Sequence, residues 1–242
     1  MNLIIDVRNT FVKLAVFKNG HLLFNESTEV ENLIGRIKII FQEFPQIDWA
    51  IVSSVVQLGK SEMDALTVFC NVHVLNHQSK IPFKNLYATP KTLGVDRIAL
   101  ATAAYYNGAN TNTLVIDTGT CITYDLVTHK GEYLGGAISP GLTMRYKALN
   151  EQTSKLPLLG LKAPADLIGN TTESSIHSGV VHGASAEIDG VIDQYSSRYE
   201  DLTVILTGGD AQFLSKRLKN TIFALSNFLL IGLNYLLDYN KR

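Results

Sequence analysis

Residues 3–20 read Leu3-Ile-Ile-Asp6-Val-Arg-Asn-Thr-Phe-Val-Lys-Leu-Ala-Val-Phe-Lys-Asn-Gly20, and residues 114–131 repeat the pattern as Leu114-Val-Ile-Asp117-Thr-Gly-Thr-Cys-Ile-Thr-Tyr-Asp-Leu-Val-Thr-His-Lys-Gly131. Each copy predicts a strand, a sharp turn and a returning strand, with an aspartate at the corner. A carboxylate at the end of a buried strand, followed by a turn rich in N–H and hydroxyl groups, is suited to hold a metal ion and the oxygens it binds. Two such corners predict two related half-domains that face one ligand.

The composition limits the classes of protein to consider. A chain of 242 residues with 46% hydrophobic and 18% charged residues predicts a compact globular protein. The formal net charge of −1 gives no overall attraction to nucleic acid or to an anionic membrane, so neither is expected as a partner. The N-terminus lacks the basic leader of a secretory signal, and no apolar run is long enough to span a bilayer. Cys70 and Cys121 lie in apolar surroundings without metal-ligand spacing, which predicts two reduced, buried thiols. We therefore expect a cytoplasmic protein.

The order of elements supports the duplication. Three strands followed by alternating helices and strands are predicted in the first half, and the second half repeats this order. A β-β-β-α-β-α order gives a mixed sheet with an antiparallel hairpin edge and helices on its faces. We place the division between residues 111 and 112, so that the halves are 1–111 and 112–242.

Several motifs could carry phosphoryl-transfer chemistry, which needs carboxylates for Mg²⁺ and turns whose N–H groups meet phosphates. Taken alone, Asp6 or Asp117 is more simply explained as a turn residue, but the duplication favours a functional role. Thr207-Gly-Gly-Asp210 follows a strand and is either a plain turn or a close approach to a ligand. The cluster from Gly135 to Gly141 is either a tight connection or a backbone lining for a ligand.

The sequence Gly94-Val-Asp96-Arg97 opens an alanine-rich helix. Neighbouring residues on a helix do not face each other, so we do not expect an ion pair between Asp96 and Arg97. Asp96 could accept a proton from a substrate hydroxyl, and Arg97 could bind a carboxylate. A solvated helix start is an equally common explanation of this pattern. We assign no catalytic role to the histidines, because none has metal-ligand spacing.

Taken in order, these motifs resemble those of type III pantothenate kinase, a family of the actin, sugar-kinase and Hsp70 superfamily. The resemblance covers almost the whole chain and implies an α/β fold of two duplicated RNase H-like (actin-like ATPase) domains. Each would be a mixed five-stranded sheet with flanking helices, with a cleft between the two. The matching motifs are Asp6-x-x-Asn-Thr10, Gly94-x-Asp-Arg97, Asp117-x-Gly-Thr-x-x-Thr123, Gly135-Gly-x-Ile-x-Pro-Gly141, Gly169-x-x-Thr172 with Ser178-Gly179, and Thr207-Gly-Gly-Asp210.

The resemblance also implies a function, which is ATP-dependent phosphorylation of pantothenate to 4'-phosphopantothenate, the first step of coenzyme A biosynthesis. It implies a phosphotransferase with an alcohol group as acceptor, which uses ATP, Mg²⁺ and a monovalent cation, K⁺ or NH₄⁺. It also implies that the enzyme is a homodimer. Asp96 would be the general base, Asp6 a Mg²⁺ ligand and Asp117 the ligand of the monovalent cation. The partner subunit closes the substrate site in this family, so Thr172 could serve in trans. The substrate-binding residues would be Tyr87, Gly94, Val95, Arg97 and Thr172, and the nucleotide-binding residues Asp6, Val7, Arg8, Asn9, Thr10, Phe11, Val12, Lys13 and Thr120.

Arg8 departs from the family pattern, which usually has glycine at this place in the first corner. A left-handed backbone at Arg8 would cost about 1–3 kcal/mol of strain. With a negative φ, the guanidinium could instead add a phosphate contact. Two other functions stay open, namely another small-molecule kinase of the superfamily and a non-catalytic or regulatory member of the fold. Arg8 favours the regulatory alternative, whereas retention of Asp6, Asp96, Arg97 and Asp117 argues against it.

Overall fold

The computed structural model describes residues 1–8, 11–54, 60–108 and 110–241. They form two compact units. The first unit comprises Met1–Asn107 together with the C-terminal segment that begins at Asn227, and the second comprises Gly108–Ser226. The predicted α/β class and the duplication of a mixed sheet are confirmed.

The sheet of the first unit has five strands in the order β3-β2-β1-β4-β5. The first three strands form an antiparallel meander, and β1 also pairs in parallel with β4, which pairs in parallel with β5. The elements of this unit up to residue 107 are β1 Asn2–Val7, β2 Val12–Lys18, β3 His21–Thr28, α1 Leu33–Glu43, β4 Trp49–Ser54, α2 Lys60–Phe69, β5 Asn71–Val74, β6 Lys84–Asn85 and α3 Val95–Asn107, with 3₁₀ turns at Val30–Asn32 and Pro90–Thr92.

The second unit repeats this arrangement. Strands β7 to β11 lie in the order β11-β10-β7-β8-β9, and β7 pairs antiparallel with β8 and parallel with β10, as β1 does with β2 and β4. Its elements are β7 Asn112–Thr118, β8 Cys121–Val127, β9 Glu132–Pro140, α4 Leu142–Glu151, α5 Thr172–Ser196, β10 Leu202–Thr207, α6 Ala211–Ser215 and β11 Phe223–Ala224. The predicted order is therefore reproduced, with element ends displaced by a few residues.

Burial explains the composition of the central strands. Every residue of β1 is buried, whereas the edge strand β3 alternates between exposed and half-buried positions. A strand covered on both faces is expected to be apolar along its length. The exceptions in β1 are Asn2 and Asp6, one near each end of the strand. Their position puts Asp6 at the carboxyl end of the strand, where the first corner begins.

The last helix, α7 (Phe228–Asn240), belongs to the first unit. Asn2 donates a buried hydrogen bond of 2.7 Å from Nδ2 to Oδ1 of Asn234 in this helix. The backbone of Gly232 also approaches Ala99 of α3 so closely that a Cβ at 232 would lie 1.9 Å from the Ala99 carbonyl oxygen. The compact units thus differ from a division at residue 111, because the chain returns to the first unit after residue 226.

Two further findings concern the predicted environment of the chain. The cysteines are free but half-buried, so the expectation that both thiols are buried was wrong. In the described part of the chain, none of the helices combines the length and the apolar character needed to cross a membrane.

Candidate active site

The first corner holds a buried carboxylate between two polar neighbours. Asp6, which is 1% exposed, lies opposite Lys13 of β2 and opposite Ser53 of β4 in the strand register. Directly paired residues project from the same face of a sheet, so these three side chains share one face at the end of β1. The corner therefore offers a carboxylate, an ammonium and a hydroxyl group to one ligand.

Arg8 connects this corner to the start of α3. Its Nε donates to Oδ2 of Asp6 at 2.9 Å, and its Nη1 donates to Oδ2 of Asp96 at 3.1 Å. Arg8 is not among the described non-glycine residues with positive φ, and its backbone N–H donates to the Phe11 carbonyl at 2.9 Å. The strained alternative is thus wrong, and the guanidinium is directed to two carboxylates within the protein.

The first turn of α3 fixes the orientation of Asp96. Its Oδ1 accepts a 2.8 Å hydrogen bond from the backbone N–H of Arg97. The same oxygen lies where a side chain at position 94 would begin, since a Cβ on Gly94 would be 2.4 Å from it. A larger residue at position 94 would therefore displace the Asp96 carboxylate. Arg8 of the first corner is an ion partner of Asp96.

Arg97 is 6% exposed although it lies in the first turn of a helix. Its guanidinium carbon lies 5.6 Å from the centre of the Tyr87 ring, within the range of a cation–π contact. Tyr87 is held in turn by its backbone N–H, which donates to Oδ1 of Asn85 at 2.9 Å. The loop before α3 and the helix start thus bring together Tyr87, Asp96 and Arg97, three residues predicted to meet the substrate.

The second corner is closed by the Thr207-Gly-Gly-Asp210 turn. Thr118 Oγ1 donates to the Thr207 carbonyl at 2.8 Å, and the Asp210 backbone N–H donates to the Thr118 carbonyl at 3.0 Å. Gly208 has φ +98°, and a Cβ there would lie 2.3 Å from Oδ1 of Asp117. Burial raises the pKa of Asp210. The turn therefore packs its backbone directly against the Asp117 carboxylate, which requires glycine at 208.

Thr120 is exposed at the tip of the turn between β7 and β8. Its carbonyl accepts a 3.1 Å hydrogen bond from the backbone N–H of Gly141, which precedes α4. The glycine cluster before α4 is thus joined to the second corner through the backbone. Since the bond uses the carbonyl of Thr120, its exposed side chain stays accessible to a ligand.

Two hydroxyl groups beside the corner aspartates were given no role from the sequence, although Thr123 belongs to the motif that begins at Asp117. Ser53 Oγ and Thr123 Oγ1 are buried and have no hydrogen-bond partner within the described residues. Ser53 is in register with Asp6, and Thr123 is in register with Asp117. A buried hydroxyl without a partner costs about 1–3 kcal/mol. The only signal for Ser53 in the sequence is a serine at the end of an apolar strand, which is common.

Thr172 lies away from either corner in the chain, at the start of α5. It lines an open groove of about 1170 Å³ between α4 and the N-terminal part of α5. Thr171 caps this helix, because its Oγ1 accepts from the Ser174 N–H at 3.1 Å and its own N–H donates to Ser174 Oγ at 2.9 Å. The cap places Thr172 on an exposed surface of the second unit.

The remaining predicted residues divide into three groups. Val7 and Val12 are fully buried in the core, so only their backbone could meet a nucleotide, whereas Phe11 is 51% exposed. Val95 and Gly94 are half-buried beside Asp96. Asn9 and Thr10 lie outside the described residues.

The donor groups at the corners fit oxygen-seeking cations. Among the described residues no group of three or more His, Cys, Asp or Glu side chains could enclose a metal ion. Mg²⁺ is usually held by one or two carboxylates together with substrate phosphates and water, so a single buried carboxylate such as Asp6 is a suitable protein ligand. At the second corner, a Cβ on Gly119 would lie 3.7 Å from Asp117 Oδ1 and 3.8 Å from the Cys121 carbonyl oxygen, so a carboxylate and a carbonyl oxygen border the same turn and could serve a monovalent cation.

Two solved structures share the fold of this chain. A Baf-family candidate transcriptional activator from Campylobacter jejuni has a TM-score of 0.63 at 20% identity, covering 99% of this chain and 98% of that one. A candidate N-acetylmannosamine kinase from Listeria monocytogenes has a TM-score of 0.55 at 13% identity, covering 100% and 99%. At these identities the likeness concerns the fold alone. This chain therefore shares with them a fold of two duplicated α/β units.

Sequence similarity then gives the family. The model of the type III pantothenate kinase family matches residues 2–194. A type III pantothenate kinase from Christiangramia forsetii is 50% identical over 241 residues, covering 100% of this chain and 99% of the relative. Another from Flavobacterium johnsoniae is 49% identical over 239 residues, covering 99% and 98%. The chain belongs to the type III pantothenate kinase family, as its motifs predict.

Proposed function

We propose that this protein transfers the γ-phosphoryl group of ATP to the primary hydroxyl of pantothenate, which yields 4'-phosphopantothenate and ADP and begins coenzyme A synthesis. The observation that carries the proposal is membership of the family over the whole chain. The arrangement at the start of α3 supports it, because a small anion with a hydroxyl at one end calls for one base and one cation. Asp96 and Arg97 supply those two groups.

Asp96 is the proposed general base. Its side chain is 23% exposed and is oriented by the Arg97 backbone N–H, so one face of the carboxylate can reach a substrate hydroxyl. As the hydroxyl oxygen forms its bond to the γ-phosphorus, its proton passes to Asp96 and the bond to the β–γ bridging oxygen breaks. A positioned base of this kind contributes about 10²–10⁴-fold to a rate.

Arg97 is the proposed ligand of the pantothenate carboxylate. Its guanidinium is buried and stacked near Tyr87, so little side-chain freedom is left to lose when a carboxylate binds. Tyr87, Gly94 and Val95 would form the surrounding surface. Thr172 would add a contact from the partner subunit.

The two corners would take the nucleotide and its ions. The first corner, residues 6–13, would meet the ATP phosphates, with Asp6 as the Mg²⁺ ligand and Lys13 beside it. Mg²⁺ neutralises charge on the transferring phosphoryl group when it is bound. Asp117 would hold K⁺ or NH₄⁺, and the exposed Thr120 would contact ATP.

A homodimer in the cytoplasm is the proposed form of the enzyme. The segment between α4 and α5 exposes large apolar side chains, including Leu158 at 59%, Leu167 at 68% and Ile168 at 80%. Several large apolar side chains exposed in one segment are typical of an interaction surface. Covering them with a second copy would place a subunit boundary close to Thr172.

A substrate panel tests the proposed activity. Purified protein with ATP, Mg²⁺ and K⁺ is assayed by coupled ADP release with pantothenate, N-acetylmannosamine and glucose, and products are identified by mass spectrometry. Phosphopantothenate alone is expected. A phosphorylated sugar, or no product with pantothenate, would contradict the proposal. Omission of K⁺ in a parallel reaction tests the monovalent cation.

A further inference from the structure

We propose that Arg8 is an internal counter-ion that occupies the first corner and competes there with the divalent cation of the nucleotide. The proposal rests on the proposed function for the identity of that ligand. Under this proposal the first corner is self-inhibited in the nucleotide-free protein. Arg8 must leave Asp6 before the metal can bind fully.

The Arg8 guanidinium contacts two carboxylates that are far apart in the chain. Arg8 bonds to Oδ2 of Asp6 and to Oδ2 of Asp96, the proposed metal ligand and the proposed base. Each bond joins two charged groups at ordinary hydrogen-bond distance, the stronger kind of protein hydrogen bond. Both functional carboxylates are therefore engaged by the same cation.

The charge balance explains why this contact opposes a metal ion. Asp6, Asp96, Arg8 and Lys13, which lies in register with Asp6, together carry a net charge of 0, whereas without Arg8 the same set would carry −1. A divalent cation at Asp6 would meet both the occupied Oδ2 and the nearby positive charge of Arg8. Because Asp6 is almost fully buried, screening by water at this carboxylate is weak.

The contact is nevertheless reversible. The Arg8 side chain is 32% exposed, so the guanidinium can rotate into water without crossing the core. The second ion pair, between Arg8 and Asp96, is partly exposed on both sides, so solvent screens it and it holds Arg8 in place only weakly. The expected effect on metal affinity is therefore moderate rather than an absolute block.

Metal binding without substrate tests the proposal directly. Binding of Mn²⁺, alone and with the non-hydrolysable analogue AMP-PNP, is measured by electron paramagnetic resonance on full-length wild type and Arg8→Gln. Loss of the charge is expected to tighten Mn²⁺ binding about tenfold. Equal or weaker binding by Arg8→Gln would overturn the proposal and favour a phosphate contact instead.

Three matched variants make the result specific. Arg8→Lys keeps the charge and should gain less affinity than Arg8→Gln. Arg36→Gln removes another guanidinium paired with a carboxylate, Glu26, at 2.7 Å and should leave Mn²⁺ binding unchanged. Asp6→Asn combined with Arg8→Gln should lose the gain. If Arg8→Gln fails to fold by thermal melting, Arg8→Gly supplies the same comparison.

Failure of the proposed function is separable from failure of this proposal. If phosphopantothenate is never formed but Arg8→Gln still binds Mn²⁺ more tightly, the role of Arg8 stands and the proposed function does not. If wild type phosphorylates pantothenate and Arg8→Gln shows no gain in Mn²⁺ affinity, the role of Arg8 alone is rejected.

Discussion

Ser53 lies directly opposite Asp6 in the register of β4 and β1, and its buried hydroxyl has no hydrogen-bond partner within the described residues. The corresponding corner of the second unit pairs Asp117 with Thr123, whose hydroxyl is equally buried and without a partner in the same part of the chain. An uncompensated hydroxyl beside each corner aspartate is costly in the folded protein. The cost is consistent with a ligand that supplies the missing hydrogen bond.

Ser53→Ala should separate stability from ligand binding. Removal of the hydroxyl should raise the free energy of unfolding by about 1 kcal/mol, because an unsatisfied buried group is lost. Affinity for MgAMP-PNP should fall at the same time. Urea unfolding and calorimetric titration measure the two effects. A destabilised variant with unchanged nucleotide affinity would show that Ser53 has only a packing role.

Arg97→Lys tests recognition of the substrate carboxylate. Lysine keeps the charge but cannot make the planar, bidentate contact with a carboxylate. The KM for pantothenate should therefore rise about tenfold, with a smaller change in kcat. The control substrate is pantothenol, in which the carboxylate is replaced by an alcohol. Wild type and variant should use pantothenol equally well. A comparable loss with both substrates would show that Arg97 acts through the structure of α3.

Gly208→Ala tests the close approach of the glycine turn to Asp117. The added Cβ would meet Asp117 Oδ1 at 2.3 Å and the Thr118 backbone at 2.6 Å, and φ is positive. The cost should be at least about 1–3 kcal/mol of folding stability, with weaker nucleotide binding. Gly209→Ala is the matched control, since a Cβ there has no atom within 4 Å. Equal melting temperatures for the two variants would contradict this account of the turn.

The Cys70 thiol should react slowly with alkylating reagents in the folded protein. Burial, with a smaller contribution from the charge of Asp48, raises its pKa to about 11. Since only the thiolate reacts, alkylation by iodoacetamide at pH 8 should be about 100-fold slower than in the unfolded chain. The rate should rise as the pH approaches that pKa. Peptide mass spectrometry of Cys70 measures it, and labelling as fast as in guanidinium chloride would contradict the prediction.

The sequence predicted the features that depend on local pattern. The duplicated corner fixed the positions of Asp6 and Asp117 at strand ends, and the helix start fixed Asp96 beside Arg97. The residues that strand register and long-range contacts place beside these aspartates were not predictable, because they depend on which strands pair. Ser53 reaches Asp6 from 47 positions away through β4, and Arg8 meets Asp96 across 88 positions.

The return of α7 to the first unit was missed for the same reason. Its sequence predicts an amphipathic helix from Asn227 to Tyr239, and such a helix could pack on either unit. Long-range contacts assign it to the first, among them the packing of Gly232 on Ala99 and the bond between Asn2 and Asn234.

Asp96→Asn gives the most direct test of the central claim that this chain phosphorylates pantothenate with Asp96 as the base. Formation of phosphopantothenate is followed by mass spectrometry in the presence of ATP, Mg²⁺ and K⁺. Wild type should form the product, and Asp96→Asn should lower kcat by about 10²–10⁴-fold while AMP-PNP binding persists. Absence of product with wild type, or a variant as active as wild type, would contradict the account.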